Sequence, residues 1–248
     1  MSNSLQEVQR LGQSIWYDNI SRDLLVSGEI ESLIRQGVTG LTSNPTIFEK
    51  AVSGSADYDD ALSATAREGL DTKNSYESLA IEDIRAAADL LRSTFDRTEG
   101  LDGYASLEVS PTLAYNTEAT IAEAQRLFTA LNRPNAMIKV PATPEGIPAV
   151  RHLIGQGVNI NVTLIFSLEA HRQVMEAYIS GLEDLAHSGG NISKVASVAS
   201  FFVSRVDVAV DALLEERAQQ GQQDVKALMG KAAIANAKLA YQSFKAVF

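Results

Sequence analysis

Six short apolar runs punctuate the chain, and most are followed by a polar turn and then by a longer stretch with helical spacing. The runs are Ser14 to Asn19, Val38 to Asn44, Tyr104 to Val109, Ala136 to Pro141, Val158 to Phe166 and Lys194 to Phe202. Helical spacing fits Tyr76 to Phe95, Glu118 to Asn132, Leu168 to Ala186 and Val206 to Gln219. Such alternation leaves few folds: the strands run parallel and the crossover helices cover the outside of the sheet. Thr143 before Pro144 reads as an N-cap with proline at the first helical position, and Ser167 stands where the next helix should open. No low-complexity linker or proline-rich hinge interrupts the order, so a single domain over residues 1–248 is expected. The last segment, Asp224 to Phe248, is rich in alanine and lysine and reads as one helix.

Composition narrows the chemistry. Cysteine is absent, which removes disulfides, thiolate nucleophiles and cysteine metal sites together. The three histidines, His152, His171 and His187, lie in helical stretches or at helix ends. None has a second metal ligand at a recognised spacing, so surface or capping roles and no metal or other cofactor are expected. A net charge of −10 repels nucleic acid and anionic membranes. It leaves room for a small phosphorylated ligand, because screening over roughly 8 Å isolates a local cationic pocket from distant carboxylates. No apolar stretch approaches the length of a bilayer span, and residues 1–10 lack the basic-then-apolar order of a secretory signal. A cytoplasmic location is therefore expected.

Strand parity then sorts the unusual residues, since side chains two apart share a face. In Met137-Ile138-Lys139-Val140-Pro141, Ile138 and Val140 suit the helix layer and Lys139 turns inward. A cation in an apolar strand is costly, and a neutral amine in its place attacks carbonyls to form an imine. Taken alone, the run leaves open the alternative of a lysine that snorkels from a strand end or pairs with a carboxylate. Asp18 and Glu108 end two other runs, where they suit either acid–base work or ion pairing. Thr42 and Asn44 share one face, as do Asn161 and Thr163, and these groups suit either substrate hydroxyls and water or the capping of strand ends. Ser200, Phe202 and Arg205 close the sixth run. Serine, arginine and a following helix N-terminus make a phosphate site, against the alternative of an exposed helix-end arginine. Jointly these residues form one ring at the C-terminal ends of parallel strands, where barrel enzymes keep their active sites.

Four segments carry a family resemblance: Tyr17 to Asn19, Thr39 to Phe48, Met137 to Gly146 and Ile160 to Ser167. In sequence and order they resemble the signature segments of transaldolases, most closely the longer bacterial branch. The resemblance runs over essentially the whole chain. It implies a TIM (β/α)8-type barrel and a class I aldolase mechanism in the non-oxidative pentose phosphate pathway. Lys139 would be the Schiff-base lysine, Glu108 the acid–base group acting through a water that Thr163 helps to hold, and Asp18 the group that takes and returns the proton of the donor's C4 hydroxyl. Asn44 and Asn161 would hold hydroxyls of the dihydroxyacetone unit, with Thr42 beside them, and Ser200 and Arg205 the phosphate, with Phe202 lining the site. The implied partners are sugar phosphates: sedoheptulose 7-phosphate and glyceraldehyde 3-phosphate would give erythrose 4-phosphate and fructose 6-phosphate.

The resemblance also implies two further strand–helix units. With six runs counted, a barrel truncated after about six β/α units is expected, with self-association through its exposed edges. A fructose 6-phosphate aldolase and a catalytically weak sugar-phosphate-binding homologue are the competing functions.

Overall fold

Every apolar run forms a strand. The computed structural model describes residues 3–248. The strands are β1 (Trp16–Tyr17), β2 (Gly40–Thr42), β3 (Ala105–Glu108), β4 (Ala136–Pro141), β5 (Ile160–Ile165) and β6 (Ser197–Phe201). They pair in chain order, all parallel, in one sheet. The helices are α1 (Ser4–Arg10), α2 (Arg22–Val26), α3 (Glu29–Gln36), α4 (Pro45–Gly54), α5 (Asp59–Arg67), α6 (Thr72–Arg97), α7 (Thr117–Leu131), α8 (Gly146–Gly155), α9 (Leu168–His187), α10 (Ser204–Gln219) and α11 (Ala232–Val247).

The sheet is curled. Lys139 on β4 hydrogen-bonds the carbonyl of Ser43 at the end of β2, and Asn161 on β5 hydrogen-bonds Ser106 on β3. Bonds between strands two apart require their inner faces to turn toward each other. The result is a half-barrel of six β/α units with β1 and β6 as its outer strands.

Burial follows the pattern expected of parallel strands covered on both faces. All six residues of β4 are buried, and Ile138 and Val140 join the apolar cluster that extends into the helices. On α6 the buried positions Leu79, Ala80, Asp83, Ile84, Ala87, Ala88 and Leu91 recur at three- and four-residue spacing. Asp71 caps this helix by accepting from the Asn74 N–H, and Ser167 caps α9 by accepting from Ala170, as its sequence position implies. Among the described residues no helix is long and apolar enough to cross a membrane.

Three local expectations are corrected. The helix anticipated at Pro144 opens at Gly146, because the chain folds back onto the end of β4 so tightly that a Cβ at Gly146 would lie 2.0 Å from the Pro141 carbonyl oxygen. Thr143 still caps the turn, accepting from the Gly146 N–H at 2.9 Å. The tail divides into a 3-10 segment, Gln223–Leu228, and α11, because Gly230 adopts φ +67° and its N–H bonds Asp211.

The third correction concerns the histidines. His152 and His187 are exposed, the latter with Nδ1 against the Glu183 carbonyl. His171 instead is only 6 % exposed. It lies on the face of α9 that also buries Val174 and Met175, and its ring meets Phe201 edge-on at 5.7 Å. Its Nδ1 is buried without a hydrogen-bond partner among the described residues. Burial holds the imidazole below its ordinary value. The folded chain therefore binds fewer protons here than the unfolded chain, so stability should fall as pH drops below about 6.5. His171→Phe should remove this part of the acid loss. Urea melts of both chains between pH 5 and 7.5 check it, and an unchanged slope in the variant would contradict the assignment.

Candidate functional site

Register brings the charged residues level. Glu108 on β3 pairs with Lys139 on β4, and Lys139 pairs with Asn161 on β5. Neighbours level in a parallel sheet point to the same side, so all three project from one face at the C-terminal end of the strands. A cavity of about 570 Å³ opens there, lined by Asp18, Thr42, Lys139, Thr163, Ser200 and Phe202 among others.

Lys139 is 6 % exposed. Its Nζ donates to the Ser43 carbonyl at 2.8 Å and lies 3.5 Å from Glu108 Oε2. Burial pushes the Glu108 carboxyl above its usual range, and Asp18 adds to the shift, against the opposing pull of Lys139 and Arg205. A raised carboxyl beside an amine is suited to exchanging a proton with it. Behind Glu108 a smaller cavity of about 100 Å³ is lined by Tyr76, Ser110 and Glu123, with Lys73 at its rim paired to Glu123 at 3.1 Å. Burial and the Glu108 charge push the Tyr76 hydroxyl up to about 12.

Asn161 is 1 % exposed and held at both ends. Its Nδ2 donates to Ser106 Oγ at 3.2 Å, and its Oδ1 accepts from Ser200 Oγ at 2.8 Å. Ser200 thus has a protein partner inside the site, in addition to any role toward a ligand. Thr163 is 2 % exposed, and just beyond it Leu164 takes φ +58°, inside an irregularity of the β5–β6 pairing. A bulge of this kind re-aims a strand end and stores local strain. Among the described residues Thr42 Oγ1 is buried with no hydrogen-bond partner.

Asn44 stands one residue past Ser43, and its Oδ1 accepts from the Ile47 N–H at 3.0 Å, which makes it the N-cap of α4. Arg205, exposed in the first turn of α10, lays its guanidinium 4.8 Å from the Phe202 ring centre. Phe202 in turn packs on Phe166 at 5.1 Å. Asp18 is exposed at the rim of the cavity. The loop that follows it is anchored at Arg22, whose Nε donates to the buried Asp83 at 3.2 Å, while Tyr58 donates to the other Asp83 oxygen at 2.8 Å.

Two residues of the site escaped the sequence reading. Ser106 has the parity of Glu108 and could have been found by it. Ser43 has the opposite parity to Thr42 and Asn44, and no signal in the chain marks its carbonyl as the acceptor for Lys139.

The model of the Transaldolase/Fructose-6-phosphate aldolase family matches residues 15–247. A protein named Transaldolase from Trichodesmium erythraeum is 49% identical over 253 aligned residues, covering 100% of this chain and 67% of its own length. A Transaldolase 2 from Nostoc sp. is 47% identical over 252, covering 99% of this chain and 66% of itself. A Transaldolase from Thiobacillus denitrificans is 49% identical over 247, covering 99% and 68%. The chain spans about two thirds of the length of these relatives.

Proposed function

Since this chain belongs to the transaldolase/fructose-6-phosphate aldolase family, we propose that it transfers a dihydroxyacetone unit between sugar phosphates through an imine on Lys139. The observation that carries the reading is a buried amine, 3.5 Å from a carboxylate with a raised affinity for protons, at the mouth of a cavity large enough for a sugar.

The chemistry follows from the placement of the groups. Glu108 takes a proton from Lys139, and the freed amine attacks the ketose C2 carbonyl, forming a C–N bond. The oxygen takes one proton from the attacking nitrogen and a second from Glu108, relayed through a water beside Thr163, leaves as water and yields a protonated imine. Asp18 takes the proton of the C4 hydroxyl as the C3–C4 bond breaks, and the imine accepts the electron pair. The aldose departs. An incoming aldehyde, glyceraldehyde 3-phosphate, takes the pair back and its oxygen recovers the proton from Asp18; water then adds to the imine carbon, with Glu108 taking the proton, and the C–N bond breaks to release the ketose and Lys139. Thr42, Asn44 and Asn161 hold hydroxyls of the three-carbon unit, and Ser200 and Arg205 hold the phosphate beside Phe202. The full reaction converts sedoheptulose 7-phosphate and glyceraldehyde 3-phosphate to erythrose 4-phosphate and fructose 6-phosphate, in the cytoplasm.

Borohydride trapping with fructose 6-phosphate, followed by intact mass, tests the reading. The parent should gain the mass of a reduced three-carbon or six-carbon adduct. Lys139→Ala should gain none, and Lys139→Arg should also fail, because arginine stays protonated and supplies no neutral amine. Adduct or substantial turnover in either variant would sink the lysine assignment. A coupled assay separates transfer to glyceraldehyde 3-phosphate from release of free dihydroxyacetone, the outcome that would instead favour an aldolase.

Arg205→Ala should raise the apparent KM for phosphorylated sugars by about 1.5–3 kcal/mol, the scale of a charged hydrogen bond. Unphosphorylated dihydroxyacetone should be little affected. Equal losses for both would place Arg205 in a structural role.

Self-association through β1 and β6 is part of the same reading, since outer strands present unpaired backbone groups. Sedimentation velocity across a hundredfold concentration range should show a rising weight-average mass; a constant monomer mass would exclude it.

A further inference from the structure

We propose that Ser43 is a positioning residue for Lys139, with its side chain and its backbone acting in series. The inference rests on the Schiff-base reading of Lys139 and adds a residue to it. Strand β2 ends at Thr42, which is level with Ser106 on β3, so Ser43 is the first residue past the ladder. It lies just past the paired residues, and it is fully buried. The Ser43 hydroxyl donates to the Ser106 carbonyl at 2.7 Å and so continues the β2–β3 connection by one more bond. The Ser43 carbonyl, pinned in this way, accepts from Lys139 Nζ at 2.8 Å.

The choice of acceptor has a chemical consequence. Glu108 is the other partner of Nζ, but it must gain and lose protons in the reaction and cannot hold the nitrogen constantly. A backbone carbonyl does not titrate. Ammonium, neutral amine, carbinolamine and protonated imine each keep at least one N–H, so the Ser43 carbonyl can accept a hydrogen bond at every stage. In the protonated imine its partial negative charge lies beside the cation, where a fixed dipole favours formation of that cation from the carbinolamine without reorganising. Ser106 extends the arrangement, because its own hydroxyl accepts from Asn161. Ser43, Ser106 and Asn161 thereby tie β2, β3 and β5 around one nitrogen.

The test compares Ser43→Ala, Ser43→Thr and Ser43→Cys with the parent and with Lys139→Arg. Adduct formation is followed with dihydroxyacetone and borohydride between pH 6 and 9, alongside kcat and KM for transfer and thermal melting. Ser43→Ala should trap about tenfold more slowly, lose kcat with little change in KM, and show a displaced pH profile. Ser43→Thr keeps the hydroxyl and should recover most of the rate. Ser43→Cys, close in volume but a weak donor, should behave like the alanine variant, and it decides the case if the alanine variant fails to fold. Parental rates and pH profile in folded alanine and cysteine variants would overturn the proposal. A loss confined to KM or to melting temperature would overturn it as well. A parent that forms no adduct would refute the Schiff-base reading itself.

Discussion

Parallel pairing in chain order is the constraint on which the rest of this structure depends. Each strand must return to the same end before the next can pair, so each connection carries a helix or a long loop and all six C-terminal strand ends lie on one rim. Nothing about the chemistry is specified by that alone. Register supplies the next step, by placing Glu108, Lys139 and Asn161 level on three successive strands. Curl supplies the last, by turning the ends of β2 and β3 toward β4 and β5 so that Ser43 and Ser106 reach across the inner face. Residues separated by almost a hundred positions meet within hydrogen-bond distance because three geometric conditions hold together.

A buried lysine is stable only if its charge is answered. Removing a cation and an anion from water costs several kcal/mol per ion even after relaxation. At Lys139 the answer is shared between the Ser43 carbonyl and Glu108. Glu108 is a poor permanent counter-ion, because burial raises its carboxyl and draws it toward the neutral form. Moving one proton from the amine to this carboxyl changes ammonium with carboxylate into amine with carboxylic acid, and the 3.5 Å separation is short enough for the transfer to be direct or through one water.

How much of this was legible in the chain depends on the range of the interaction. The strands and the long helices α6, α7 and α9 follow from local periodicity, and parity alone turned Lys139, Asn161 and Thr163 toward one face. The short helices α1 to α5 were not assigned, because segments of 5 to 10 residues hold too few turns for a periodic pattern to stand out. The sequence suggests a surface or capping role for His171 because periodicity does not say which side of α9 meets β6. Ser43 was unreadable for a different reason: its contribution is a backbone carbonyl, which every residue carries, and only the curl of the sheet selects this one.

Hydrogen-bond satisfaction separates the acids that hold the fold from those available for chemistry. Asp83 is 2 % exposed, yet one oxygen receives the Arg22 guanidinium and the other the Tyr58 hydroxyl. Burial still raises its carboxyl, but both oxygens are engaged by protein donors. Glu123 is committed similarly, to Lys73 and to the Ser110 N–H. Around the mouth the pattern reverses. Asp18 is exposed, Glu108 has one cation at 3.5 Å, and Thr42 keeps a buried hydroxyl oxygen without a partner. Burying polar groups without partners costs stability. Of the buried side-chain atoms left without a partner among the described residues, Thr42 Oγ1 is the one whose residue lines this cavity, so that part of the cost falls beside the lysine of β4.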